Sequence, residues 1–166
     1  MASEKISASF SKLAVIGFFA GFISTITFHQ MALWLLWEAG VAPFQPYMFT
    51  PIPPFNVPAV ISLAFWGGLW GVLFALIQDK FPRKAYWATA FGFGAVLPSL
   101  IALLIVLPLK GKPLGGGWHW PLLVTAFLIN GVWGIGTGGF FRLAIMKHRS
   151  IGVDSKACIP GAACPH

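Results

Sequence analysis

Acidic side chains are almost missing from this sequence: Asp and Glu together number four against eleven Lys and Arg, and charged residues fill 9% of its 166 positions. A water-soluble domain carries about 25% charged residues. So thin a charged coat cannot cover a soluble fold in which 57% of the residues are hydrophobic. No two carboxylates stand paired at a spacing that acid–base catalysis needs. Cysteine is scarce as well. Cys158 and Cys164 lie together in the tail "SKACIPGAACPH", ahead of His166. Their C-x5-C-x-H spacing departs from the C-x2-4-C start of zinc sites, which leaves Cys158, Cys164 and His166 as weak metal candidates. No Walker loop, H-E-x-x-H or G-x-S-x-G occurs. The expectation is a protein that is not an enzyme.

What the chain has instead is apolar length. Four stretches of ~20 apolar residues, enough to cross ~30 Å of hydrocarbon, run over 13–37, 58–77, 85–108 and 121–141. The first follows Lys5 and Lys12 as a secretory signal would, but it is too long for a signal core and lacks an A-x-A cleavage site, so it reads as a retained helix. The net charge of +7 is not a nucleic-acid signature, because the basic residues form no stripe with interleaved aromatics. They are sorted by segment. Lys5 and Lys12 precede span one, Lys80, Arg83 and Lys84 follow span two, and Arg142, Lys147, Arg149 and Lys156 follow span four, while only Lys110 and Lys112 lie elsewhere. The positive-inside bias then puts both termini and the second loop in the cytoplasm. Trp34, Trp37 and Tyr47, Trp118 and Trp120, and Tyr86 with Trp87 stand at span ends as interfacial anchors. The organisation expected is a cytoplasmic segment over 1–12, a transmembrane domain over 13–147 and a disordered cytoplasmic tail over 148–166, where a disulfide is not expected to persist.

Two spans repeat each other. Shifting the chain by 63 residues lays Pro58 on Pro121, Ser62 on Thr125, Gly68 on Gly131, Trp70 on Trp133 and Gly71 on Gly134. "GFFAGFISTI" from Gly17 and "GFGAVLPSLI" from Gly92 match more faintly. Each repeat is then a helical hairpin, and two copies of an even number of spans are parallel repeats about an axis along the membrane normal. The glycines have a purpose in that setting. Lipid gives helices no hydrophobic drive to associate, so small residues four apart must let backbones approach, in the manner of GxxxG. Gly17, Gly21 and Thr25 form such a line on span one, Gly67, Gly71 and Ala75 on span two, Ala88 and Gly92 on span three, and Asn130, Gly134 and Gly138 on span four. Ala64 and Gly68 make a second line on span two, more than one partner helix needs. Trp70 and Trp133, near mid-span and each flanked by glycines of its own helix, are expected to fill the notch left by a facing glycine on a neighbouring helix. Pro98 is expected to kink span three, with the Ser99 hydroxyl satisfying a freed carbonyl.

Intramembrane polar residues are the functional candidates. They are His29, Gln30, Ser62, Thr125 and Asn130. His29 continues the line of Gly17, Gly21 and Thr25, and both His29 and Asn130 lie ~12–14 Å below the outer boundary at ~1.5 Å per residue, so a structural hydrogen bond between them is expected, with Gln30 or Thr25 as other partners. A proton relay through His29 and Glu38 is an alternative use. Haem ligation would need a second axial group at matching depth, and His119 lies nearer the surface. Loop one, "EAGVAPFQPYMFTPIPPFNVP", is proline-rich, aromatic and nearly uncharged, suited to lying on the outer membrane surface or against a partner. Loop three contains three successive glycines beside Lys110 and Lys112, a pattern open to an anion-binding nest.

Through "GFISTITFHQ", the proline-rich loop, "PAVISLAFWGGLWGVLFAL" and "NGVWGIG", the chain resembles small four-helix inner-membrane proteins of bacteria that have no assigned activity. The resemblance implies a fold and a compartment, the bacterial inner membrane. The fold expected is all-α and integral to the membrane: four transmembrane helices as two parallel hairpin repeats, both termini cytoplasmic. The function expected is a structural or accessory subunit packing against other membrane proteins, or against itself, with no cofactor. The first rival is a small oligomeric transporter or channel with a path lined by His29, Gln30 and Asn130. The second is an electron-transfer subunit carrying haem.

Overall fold

Proline and glycine punctuate the apolar runs, and helices fill the intervals. The computed structural model describes the backbone of residues 2–53 and 55–157 and the side chains of 10–53 and 55–146. Span one is a single rod because no proline occurs before Pro43. It comprises α1 (Ala2–Ser24), a π-helical turn (Thr25–His29) and α2 (Gln30–Glu38). Gly40, at φ +71°, ends it: the Gly40 amide donates to the Trp37 carbonyl and Val41 to Leu36, the Schellman pattern that favours glycine. Loop one then folds a two-strand hairpin, β1 (Pro51–Ile52) against β2 (Val57–Pro58), which leads into α3 (Ala59–Ile77). Span three is α4 (Tyr86–Ile101), a second π-helical turn (Ala102–Val106) and α5 (Leu107–Leu109). Span four is α6 (Trp120–Ala157).

Four helices are long and apolar enough to cross a membrane: Phe10–Glu38, Ala59–Lys80, Arg83–Leu109 and Trp120–Met146. The chain thus has the helical architecture that its hydropathy predicts. One boundary differs. Residues 148–157, expected as disordered tail, continue α6, since "RLAIMKHRS" is made mostly of good helix formers and no proline intervenes before Pro160. Cys158, Cys164 and His166 lie outside the described residues.

Spans one and two meet backbone to backbone. A methyl group on Gly17 would stand 2.5 Å from the Gly71 carbonyl oxygen, and methyls on Gly71 and Gly21 would overlap the carbonyl oxygens of Gly17 and Gly67. The Cα hydrogens take those places and point at the carbonyls, contacts worth ~0.5–1 kcal/mol each. Spans three and four repeat the arrangement, with Gly94 against the Asn130 carbonyl and Gly134 against the Ala90 carbonyl. The line on span three is therefore Ala90–Gly94, not Ala88–Gly92. Ala88 is exposed, and a methyl on Gly92 would meet nothing.

The rings that fill the remaining notches are phenylalanines rather than Trp70 and Trp133. Phe18 covers Gly68, Phe91 covers Gly131 and Phe28 covers Gly136, while Gly138 faces Phe74 and Tyr86. The Gly68 notch is thereby closed by span one itself, so span two has no spare line for a second partner. Span one also packs along span four. Between spans two, three and four, Phe74, Tyr86, Phe93 and Trp133 form an aromatic core with Trp70 and Phe81 packed on it. Phe74 and Phe93 meet edge to face at 5.4 Å, and Trp70 meets Phe93 at 6.3 Å.

These contacts predict opposite outcomes for two glycines. Gly71→Val forces a branched side chain into a backbone contact and is expected to destabilise by at least ~2 kcal/mol, or to abolish folding. Gly92→Ala is expected to be neutral or to stabilise by up to about 1 kcal/mol. Unfolding of both variants in detergent, followed by circular dichroism, measures the difference.

Candidate functional site

The polar side chains inside the bundle form three separate latches. The first joins spans one and four. The Ser24 hydroxyl donates to the Trp133 carbonyl at 2.8 Å, and the Trp133 indole N–H donates to the Gly21 carbonyl at 3.0 Å. The Thr25 hydroxyl also donates to the Gly21 carbonyl, at 2.9 Å. Gly136 makes room, since a methyl there would stand 2.5 Å from the Ser24 oxygen.

The second latch joins spans three and four. Asn130 Nδ2 donates to Ser99 Oγ at 3.1 Å and to the Ala126 carbonyl at 3.0 Å, and the Ser99 hydroxyl donates to the same carbonyl at 2.9 Å. Ser99 thus reaches across to α6 instead of mending its own helix beside Pro98. Asn130 does not meet His29, because its face of α6 is turned toward span three.

The third latch ties loop one to the π-helical turn. Tyr47, held at φ +50°, donates its amide to Gln30 Oε1 at 2.6 Å and its hydroxyl to the Ile26 carbonyl at 2.9 Å. The next residues cap α3, with Val60 donating to the Met48 carbonyl and Ala59 to the Thr50 carbonyl. Loop one is therefore pinned onto the bundle on this side, although Phe49 and Phe55 remain 66% and 83% exposed. Tyr47 serves as a latch rather than a free belt residue. His29 is buried beside it, with Nδ1 3.4 Å from Gln30 Nε2.

The other polar candidates are scattered. Ser62 is half-buried on α3, and Thr125 is fully buried with no hydrogen-bond partner for its hydroxyl among the described residues. Thr137 is in the same position. A helical threonine commonly uses the carbonyl four residues back. For Thr137 that is the Trp133 carbonyl, which accepts from Ser24. His119 is exposed at the far end of span four, and no group of three or more His, Cys, Asp or Glu among the described residues could hold a metal ion. In loop three Gly115, Gly116 and Gly117 all have positive φ, and the Gly116 amide donates to the Pro113 carbonyl, so that amide is not free for an anion.

No family model matches this chain, and no curated protein or solved structure matches it.

The latches predict a contrast between two hydroxyls. Ser24→Ala removes a bond between helices and is expected to cost ~0.5–1.5 kcal/mol. Thr137→Val, nearly equal in shape, is expected to be neutral or stabilising, because the hydroxyl it removes has no partner. Denaturant titration of the two variants in one detergent decides it.

Proposed function

We propose that this chain is a non-enzymatic accessory subunit of the bacterial inner membrane, seated against a larger membrane protein, with both termini cytoplasmic. One observation carries the reading: two of the side chains expected to line a path are bonded within the fold, Asn130 to Ser99 and Gln30 to the Tyr47 amide, and Ser24 is likewise bonded to the Trp133 carbonyl. They act as fasteners between helices. The glycine lines with internal partners are closed as well, which moves the partner surface to the outward side of span three. Ala88 and Gly92, four residues apart, leave open space there. A glycine within a helix costs roughly 1 kcal/mol against alanine, and this one repays nothing inside the chain.

The placement in the bilayer is supported by a count. About twenty residues of helix cross the hydrocarbon. Counted from Lys12, Lys80, Arg83 and Arg142, they end at Ala32, Val60, Leu103 and Leu122. Loop one caps α3 at that outer boundary, and α2 carries Trp34 and Trp37 beyond it. We also infer that the two hairpins arose by duplication as parallel repeats. The support is their shared contacts: Phe18 on Gly68 and Phe91 on Gly131, Gly71 against Gly17 and Gly134 against Ala90. In this register span three follows span one by 73 residues, so Gly17 corresponds to Ala90 rather than to Gly92.

The transporter reading keeps one observation in its favour. His29 is buried at the end of a π-helical turn, and both features recur at functional sites. Purification in mild detergent followed by mass spectrometry separates the two. The accessory reading expects a stoichiometric larger membrane protein that is lost on Gly92→Leu, with the variant still folded. A lone homo-oligomer, together with solute flux in proteoliposomes that His29→Ala abolishes, would replace it with the transporter.

A further inference from the structure

Where span two gives way to span three, an arginine lies over an aromatic ring. The Arg142 guanidinium carbon lies 3.5 Å from the centroid of the Tyr86 ring and 5.5 Å from that of Trp87. Tyr86 is 3% exposed and fixed by rings on both sides, Trp87 at 5.3 Å and Phe81 at 5.9 Å. Arg142 itself is exposed. Contact with the Tyr86 ring limits the swing of the guanidinium, and N–H donors on its exposed side are available for an oxyanion.

The surroundings are cationic. The connection 78–85 that delivers Tyr86 carries Lys80, Arg83 and Lys84, all exposed. The carboxylate on this connection, Asp79, is bonded by the Gln78 amide. Four cations and one occupied acid thus share a corner at the end of the helices, and Trp87, 49% exposed, lies beside the arginine.

We propose that this corner binds the phosphate of an anionic phospholipid, with Arg142 as the directional contact and Arg83 and Lys84 as flanking charges. The level of the corner favours a lipid over a soluble ion. It lies where Lys80 and Arg83 end two helices long and apolar enough to cross a membrane, and so at the level of headgroup phosphates. Exposed Trp87 offers an amphipathic ring to the glycerol region just beneath them. Lysines alone would give only a diffuse attraction. A braced arginine adds a fixed direction, which distinguishes a site from a charged rim.

The test uses the full chain, delipidated in a neutral detergent, with dioleoylphosphatidylglycerol, dioleoylphosphatidylcholine or inorganic phosphate added. Native mass spectrometry reads occupancy, and melting temperature gives a second readout. Phosphatidylglycerol is expected to bind roughly tenfold more tightly than phosphatidylcholine, whose phosphate is the same but whose choline ammonium is repelled by the flanking cations, at about 1 kcal/mol for each Lys or Arg. Arg142→Gln should remove that preference, Arg142→Lys should keep only part of it, and Lys12→Gln should leave it unchanged. An unaltered lipid-free melting temperature certifies the folded state of Arg142→Gln; should that variant not fold, the combined Arg83→Gln and Lys84→Gln variant, whose side chains are exposed, is expected to weaken the preference instead. The proposal is overturned if folded Arg142→Gln keeps the preference, if the exposed double variant loses none of it, or if millimolar inorganic phosphate displaces the lipid or protects equally well. The site requires a phospholipid but no protein partner, so a chain that binds lipid and captures no partner would sink the accessory reading alone.

Discussion

The structure depends on main chains touching where no side chain intervenes. In lipid two helices gain nothing from excluding water, so their association rests on dispersion, which fades within an ångström of lost contact, and on weak Cα–H···O bonds. Gly17 and Gly21 against Gly67 and Gly71, and Ala90 and Gly94 against Asn130 and Gly134, provide that contact twice. The rest of the packing follows from it. With α1 drawn onto α3, the Phe18 ring has the Gly68 notch as its seat, and Phe91 finds Gly131 in the same way. Rings placed so tightly leave little freedom in how the paired helices sit, and that in turn fixes which polar groups face one another.

Polar groups between helices face a strict requirement, since hydrocarbon offers no substitute partner for a carbonyl left without one. The π-helical turn at Thr25–His29 alters the supply. Its amides bond five residues back, as the Gln30 amide does to the Thr25 carbonyl, and the regular ladder is displaced where span one crosses span four. Carbonyls near this turn take side chains: Gly21 accepts from Trp133 and Thr25, and Ile26 accepts from Tyr47. The Gln30 amide, four residues after Ile26, bonds to Thr25 and Thr27 instead, which leaves the Ile26 carbonyl for the Tyr47 hydroxyl of loop one.

The four spans were legible because apolar length is a property of the chain by itself. Glycine lines were legible on spans one, two and four for the same reason, a fixed spacing of four. Span three was not, and the cause is specific. The stretch "ATAFGFGA" has small residues at 88, 90, 92, 94 and 95, so spacing admits two lines. Two residues turn a helix by about 200°, which puts Ala88–Gly92 and Ala90–Gly94 on nearly opposite faces. Only the partner helix selects between them. The candidate site suffered a similar ambiguity. Depth could be counted for His29 and Asn130, but azimuth could not, and Asn130 turned out to face Ser99. Nothing in the residue types announces a π-helical turn, so the Tyr47 latch that depends on it was invisible as well.

The two hairpins share their inner contacts yet differ in how each meets the other, and one position accounts for much of the difference. A strict twofold would make span three touch span two as span one touches span four. Instead span one reaches span four through hydrogen bonds, while spans two and three meet through the rings of Trp70, Phe74 and Phe93. Under the duplication proposed here, the 63-residue shift lays Gly136 over Leu73. Gly136 admits the Ser24 hydroxyl and the Phe28 ring to the surface of α6, whereas Leu73 is partly exposed and gives α4 no such notch. The paired tryptophans diverge accordingly. Trp133, with span one close by, is buried and donates to the Gly21 carbonyl; Trp70 is half-buried and meets Phe93 edge to face. A single exchange between glycine and leucine thus separates a hydrogen-bonded contact from an aromatic wedge, and it makes spans one and four the rigid centre on which the other two spans are hung.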